Sequence, residues 1–404
     1  MTSIAPGSLV LLRLPSALAT AGSILLTALI VRELGGNRPA QLLGAGAMAV
    51  SNFTLATGHL LSTTTMDLPV WAGISLLSLR AVRTRNDKLW VPVGLLAGIG
   101  LLNNDLVAFF MAGLFVGVLI AGPRRIFASP WLYVGAVLMF ALWTPYLIWQ
   151  GQHGWPQLTI ARNIANGGSG TSAPRALFLP FQVLLPGIFV TPVWIAGLVQ
   201  LLRNPDYRWC RAVGVTWLVL AVVFIATGGK PYYIDGMLPV LFAAGSPAAW
   251  RWCNASSRRL RTIPEVLVLS LVGVIITLPV LPANALHDSP VVALNYDAGE
   301  TVAWPTFVAE IGGVYQRVAT RHAGHTVIIG SNYGESGAVD RYGGKHGLPS
   351  AYGVQNAFWL WGPPPPAATY VVAVGFDRDQ LPSSFTSVRL ARRLDNHVSL
   401  DDDE

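Results

Sequence analysis

A polytopic α-helical membrane protein with a small α/β domain at its C-terminus is the fold class this sequence predicts, and three observations predict it. Only 12% of the 404 residues are charged, where an ordinary soluble domain has roughly 25%, while 52% are hydrophobic and the mean hydropathy is +0.50. Apolar runs of about 20 residues, enough to cross a bilayer as a helix, recur between residues 12 and 285. From 286 to 404 the composition is that of a water-soluble chain. These observations divide the chain into a membrane-embedded helical domain, 1–285, and an extracytoplasmic α/β domain, 286–404.

Taken in order, the apolar runs predict about ten spans, near 12–33, 40–61, 66–82, 89–103, 105–122, 130–149, 176–202, 211–228, 232–251 and 263–285. The stretch 89–122 is too long for one crossing. Asn103, Asn104 and Asp105 interrupt it, which predicts a tight hairpin of two short helices. In the C-terminal domain the β-branched runs Thr326–Ile329 and Tyr370–Val374 alternate with a helix-like stretch near 302–320, the pattern of a small α/β unit. Pro363–Pro366 reads as a rigid turn or polyproline piece, and the acidic end Asp401–Glu404 as a frayed terminus.

The basic residues set the orientation, because Lys and Arg in short loops stay on the cytoplasmic side. One set of alternate loops carries fifteen of them: Arg32, Arg38, Arg80, Arg83, Arg85, Lys88, Arg124, Arg125, Arg203, Arg208, Arg211, Arg251, Arg258, Arg259 and Arg261. The other set carries three, Arg162, Arg175 and Lys230. The asymmetry predicts a multi-pass protein of the plasma membrane with its N-terminus and its C-terminal domain outside the cytoplasm. Segments 59–67, 150–175 and 229–235 then share the outer face. Because the first span starts about ten residues after Met1, with no basic n-region or cleavage site, no cleaved signal peptide is predicted. An outside N-terminus needs an earlier device, so a preceding helix is expected.

The same distribution turns the net charge of +7 and pI of 9.6 into topology signals, and nucleic acid is not expected as a partner. Cys210 and Cys253, at the ends of spans on the predicted cytoplasmic side, imply no disulfide framework. No His and Cys spacing suggests a zinc site, and no Gly-rich loop suggests nucleotide hydrolysis. Gly94 and Gly98 are spaced for close helix packing. Asn52-Phe53-Thr54 and Asn254-Ala255-Ser256 fit a glycosylation sequon but lie in or beside a span and on the cytoplasmic side.

Ionisable groups at the outer face are the candidates for chemistry, because they are costly at a membrane boundary. Asp67 follows Ser62-Thr63-Thr64-Thr65-Met66 at the outer start of a span, where a carboxylate can orient a hydroxyl or a phosphate-bearing headgroup; it can equally N-cap that helix. His59 lies eight residues earlier and can bond into the same cavity or serve the fold. Lys230, in Gly228-Gly229-Lys230-Pro231-Tyr232-Tyr233, is the only basic residue of its outer loop and is placed to meet an anion such as phosphate. The bland alternative is an interfacial anchor, the lysine snorkelling and the tyrosines in the aromatic belt. Trp149 to Gln157, with His153 and Trp155, mixes aromatic and neutral polar groups as sugar-binding surfaces do, and as aromatic girdles also do. Arg162 and Arg175 fall in the Gly- and Ser-rich loop that follows.

Five segments carry a family resemblance: Leu12-Arg13-Leu14-Pro15-Ser16-Ala17, Val31 to Gly36, Gly58 to Asp67, His153-Gly154-Trp155-Pro156-Gln157 and Gly229-Lys230-Pro231-Tyr232-Tyr233. Together they resemble the bacterial protein-mannosyltransferase-like glycosyltransferases, family 39 type enzymes of the GT-C fold, over most of residues 8–250. Ser331 to Gly337 is similar to the outer domain of actinobacterial-looking members. The resemblance implies transfer of a sugar from a polyprenyl-phosphate donor to an unidentified acceptor on the outer face of the membrane. It also implies inverting displacement, with a carboxylate base for the acceptor and cations for the phosphate, and a divalent metal is compatible with that chemistry. Asp67 then matches a supporting acidic residue, Lys230 matches a phosphate-facing lysine, and Tyr232, Tyr233, His59, His153 and Trp155 line the substrate site.

Two departures accompany the resemblance. Its principal catalytic carboxylate belongs to a first outer loop ahead of the span that starts near Leu12, and these 404 residues hold no such loop; many relatives also carry lysine where this chain has Asn104. The expectation is a chain lacking its N-terminal span and first outer loop, or one that has lost activity. Two other classes stay open, a transporter or flippase for a lipid-linked glycan and a non-catalytic membrane subunit. Against a transporter stand the lack of an inverted internal repeat and of a charged residue near the middle of a span, Asp105 in the hairpin apart.

Overall fold

The structure is a computed structural model that describes residues 8–168, 172–377, 379, 381 and 385–395. By its contacts the chain forms two compact units, Met1–Leu278 and Pro279–Glu404.

In the first unit every predicted span is a helix or a pair of helices. The order is α1 (Leu9–Glu33), α2 (Arg38–Ala49), α3 (Asn52–His59), α4 (Thr63–Thr84), α5 (Trp90–Asn103), α6 (Leu106–Ala121), α7 (Pro130–Gln152), α8 (Pro156–Ala165), α9 (Phe178–Leu184), α10 (Thr191–Arg203), α11 (Arg211–Thr227), α12 (Leu238–Asn254), α13 (Ser257–Leu260) and α14 (Thr262–Thr277). Four stretches are individually long and apolar enough to cross a membrane: Leu9–Glu33, Pro130–Gln152, Pro205–Thr227 and Ser257–Thr277. Starts are set by side-chain caps. Ser8 accepts from Leu11 N, Asn37 from Ala40 N and Ser62 from Thr65 N. The loop Gly35–Gly36 reverses the chain after α1, with Gly35 at φ 84°.

Two predicted spans are broken, at Val50–Ser51 and at Leu185–Val190, and the breaks satisfy each other. Phe53 N donates to Leu185 O at 2.8 Å, Asn52 N to Pro186 O at 3.2 Å and Asn52 Nδ2 to Leu184 O at 3.3 Å. The orphan amides at the start of α3 thus meet the orphan carbonyls at the end of α9, which an apolar medium requires. A side chain on Gly273 of α14 would run into Asn52 Oδ1. Asn52 is therefore a packing residue, in keeping with the discounted sequon.

Small residues let the helices touch backbone to backbone. A Cβ on Gly94 of α5 would enter the Gly135 backbone of α7, and one on Gly197 of α10 would enter the Leu241 carbonyl of α12, beside Gly245. Gly98 likewise rests on Met139 and Leu142, so both glycines of the predicted pair pack. At the arginine-rich end Arg83 Nε bonds Glu33 Oε1 at 2.6 Å, with Arg80 at 3.7 Å, tying α4 to α1. Segment 150–175, read as a loop around Arg162, instead holds helix α8. Pro156 at its first turn favours helix entry, and Ile160 and Ile164, one turn apart, give it an apolar side.

The second unit begins with three short helices, α15 (Ala283–Leu286), α16 (Val291–Leu294) and α17 (Tyr296–Gly299). There follow α18 (Trp304–Ala319), β1 (Thr326–Gly330), α19 (Tyr333–Tyr342), β2 (Tyr352–Gly353), α20 (Asn356–Leu360) and β3 (Tyr370–Val374). The strands form a parallel sheet in the order β2-β1-β3, with Ile328 paired to Val372 and Gly330 to both Gly353 and Val374. Phe307, Val308 and Ile311 of α18 pack with Ile328, Val372 and Val374 in its core. Segment 279–285, taken into the last span on sequence, lies in this unit, because Leu278–Pro279 ends α14. The sequence Ser331–Gly337 is the entry to α19. Asn332 and Glu335 form a capping box there, and the buried Glu335 carboxylate accepts from Ser331 N at 2.6 Å and Asn332 N at 3.2 Å. The carboxyl edge of the sheet, where such sheets bind phosphates, is thus filled by the chain's own carboxylate. Residues 401–404 lie outside the described residues.

Candidate functional site

The candidate residues collect at the end of the bundle opposite Glu33 and Arg83. Asp67 does not cap its helix; Ser62 does, which places Asp67 in the second turn of α4, facing inward and buried. The turn between α5 and α6 comes to meet it. Asn104 Nδ2 donates to Asp67 Oδ2 at 2.8 Å, and Asn103 Nδ2 donates to Oδ1 at 3.1 Å and to Thr63 O at 2.8 Å. Asn104 Oδ1 accepts from Leu106 N at 3.1 Å and so starts α6. Each oxygen of Asp67 is engaged by a neutral amide, a geometry that holds a carboxylate in place.

His59 closes α3 beside this point. Thr65 Oγ1 bonds Thr57 O at 2.7 Å and Leu60 O at 2.8 Å, pinning the α3–α4 corner, and Arg13 of α1 lies within electrostatic reach of the imidazole.

A second polar chain runs from the same hairpin to the end of α7. Tyr146 donates to Asp105 Oδ2 at 2.9 Å, Gln150 Nε2 donates to the Tyr146 hydroxyl at 2.8 Å, and Gln150 Oε1 accepts from Gln157 N at 3.2 Å. Gln150 O also accepts from Trp155 N at 2.8 Å. This fixes the α7–α8 corner that displays His153 and Trp155. Trp155 sits at φ 59°, with its side chain 45% exposed; His153 stacks on Trp149 at 4.3 Å with Nδ1 2.8 Å from Trp149 O. Oδ1 of Asp105 is buried without a close hydrogen-bond partner among the described residues, and the Trp143 side chain also interacts with this carboxylate.

Lys230 opens a 3₁₀ turn, Pro231–Met237, after Gly228 at φ 72°. The turn is held from below by Gln182 of α9, whose Nε2 donates to Pro231 O at 2.8 Å. Lys230 is buried, its Nζ 5.7 Å from the centre of the Tyr232 ring. Tyr233 packs edge-on against Tyr232 at 5.2 Å and Phe224 at 5.7 Å. Gly236 lies flush on the indole of Trp71, which stacks on Phe110 at 4.3 Å. Since Trp71 is one helical turn beyond Asp67, the Lys230 turn and Asp67 are mounted on the same face of α4.

Sequence reasoning leaves out four contributors. Asn103 and Asn104, read as the hairpin's interruption, are the partners of Asp67. Tyr146 lies half-buried in an apolar span, and only its spacing of four from Gln150 marks it. Asp235, in the Lys230 turn, is 1% exposed and both its oxygens lack hydrogen-bond partners among the described residues. A carboxylate three residues after Tyr232 at the mouth of an apolar run is the signal that finds it. Among the described residues no three His, Cys, Asp or Glu side chains gather to hold a metal ion.

Comparisons with known proteins agree with this architecture. Residues 1–149 match the family described as dolichyl-phosphate-mannose-protein mannosyltransferase. Among solved structures, ArnT from Cupriavidus metallidurans in the apo state is similar at a TM-score of 0.57 and 16% identity, over 89% of this chain and 74% of ArnT. No curated protein matches the sequence. The chain therefore has a polytopic helical fold similar to that of ArnT, and its first 149 residues are similar to the protein-mannosyltransferase family.

Proposed function

We propose that this chain moves a sugar from a polyprenyl-phosphate donor to an acceptor at the outer face of the plasma membrane, with the C-terminal unit on that same face. The observation that carries the reading is the mounting of a buried lysine, Lys230, and a buried carboxylate, Asp67, on one face of α4. In displacement at the anomeric carbon the donor phosphate leaves with negative charge, and a cation held in low dielectric stabilises it. Lys230 fills that role, with Tyr232 and Tyr233 shaping its pocket. Asp67 supports the site by fixing the α5–α6 hairpin, and His59, His153 and Trp155 form the rim that meets sugar. Fifteen basic residues on one face against three on the other support this orientation.

One observation favours a second reading, in which donor lipid is bound and carried or presented without transfer. Both oxygens of Asp67 are committed to amides, so it is poorly placed to take the acceptor's proton. Transfer of radiolabelled sugar from polyprenyl-phosphate donors in membranes, with and without EDTA, tests the two together with Asp67→Asn and Lys230→Ala. Transfer lost in both variants supports the enzyme. Donor binding without transfer in the parent chain replaces it with the binding reading, and a loss with EDTA assigns a divalent metal to the reaction.

A further inference from the structure

The second unit carries a surface patch that its own core does not use. Trp359 and Trp361 are each 69% exposed, and Leu360 between them is 50% exposed. They end α20 and are fixed from behind by Phe358, whose ring lies 4.5 Å from that of Trp361 and whose Cβ fills the space left by Gly353 of β2. Val354, next along the chain from β2, is 48% exposed. From Ser350 to Tyr370 there is no Asp, Glu, Lys, Arg or His, and Pro363–Pro366 follow directly, stiffening the exit.

Three consecutive large apolar side chains pointing outward are unusual on a surface that faces only water. Tryptophan is the residue of the membrane–water boundary, its ring apolar and its N–H free to meet headgroups. The Leu between the two indoles makes a wedge, whereas a sugar platform needs flat rings with hydrogen-bonding groups beside them. The tether decides the occupant. The last membrane helix ends at Thr277 and this unit begins at Pro279, so the unit is held within reach of the bilayer surface. We propose that Trp359–Leu360–Trp361 is an interfacial anchor that seats the second unit on the headgroup layer of the bilayer its own chain spans.

Environment-sensitive labelling of the full chain tests this. Cys210 and Cys253 are buried, so a cysteine at Leu360→Cys is the accessible thiol; Arg321→Cys, at an exposed position past the end of α18, is the control. Both are labelled with a nitrobenzoxadiazole probe and reconstituted in phosphatidylethanolamine–phosphatidylglycerol vesicles. The probe at 360 is expected to be quenched by doxyl-labelled lipid and shielded from iodide, and the probe at 321 to show the reverse. Adding Trp359→Ser and Trp361→Ser to the 360 probe is expected to cut lipid quenching by about threefold or more. Equal iodide quenching at both positions overturns the proposal. So does shielding that grows with protein density, which means a second copy, or shielding that appears only with added glycan, which means a sugar platform.

Discussion

Asn104 reaches from the α5–α6 turn to Asp67 in the second turn of α4, its amide 2.8 Å from the carboxylate, and with Asn103 it makes three helices meet at one acidic group. Asp67→Ala removes the acceptor from two inward-facing amides at once. The expected cost is about 1–3 kcal/mol of stability, since an unmade buried hydrogen bond costs most of its desolvation. A lowered melting temperature in detergent, smaller for Asn104→Ala, is the check. An unchanged one shows that the hairpin is held by packing alone.

Lys230 is expected to behave differently, because on the proposed reading it serves the donor and not the hairpin. Lys230→Ala is expected to lower kcat/KM for the polyprenyl-phosphate donor by about 10²- to 10³-fold, the usual loss when one charge-stabilising group is removed. Because Lys230 is buried against the Tyr232 ring, some loss of melting temperature is expected alongside, so rates are compared at a temperature where both proteins are folded. Lys230→Arg, with the charge kept, retains part of the rate.

Tyr146→Phe breaks the link between Asp105 and Gln150 and takes the hydroxyl away from Asp105 Oδ2. We expect a loss of about 1–2 kcal/mol, relieved in part when Asp105→Asn removes the charge. A double-mutant cycle on thermal unfolding reads the coupling. Additive losses would mean that Tyr146 and Asp105 do not act as a pair.

Gly135→Ala puts a methyl group into the Trp90 carbonyl at the close approach of α5 and α7, whereas Gly22→Ala meets nothing within 4 Å. The first is expected to cost about 1–3 kcal/mol by overpacking, and the second to cost nothing and to gain up to about 1 kcal/mol of helix propensity. Comparing folded yield and melting temperature of the two variants separates a packing contact from a general intolerance of larger residues.

The hydrophobic lengths made the helices legible, because a bilayer demands a run of apolar residues and the polar triplet Asn103-Asn104-Asp105 can only be a turn. The breaks at Val50–Ser51 and Leu185–Val190 were not, since their flanks stay apolar and the bonds that justify them join residues 132 apart in sequence. Asp67 and Lys230 stood out by charge against an apolar background. What holds them did not: amides, a glutamine and a tyrosine are ordinary residues until the fold brings them together. Asp235 escapes for the opposite reason, since one carboxylate beside a span has no period to mark it.

The mutual satisfaction of the two helix breaks fixes an order of events during synthesis. The amides of Asn52 and Phe53 have their partners on residues 184–186, and at the ribosome's pace that stretch arrives on the order of ten seconds later. Until then the amides of the first broken segment lack these partners, and lipid cannot serve them. The first half of the bundle is thus committed to wait for the second, and a chain interrupted before Leu185 would be retained or degraded and would not settle into the membrane as a stable half.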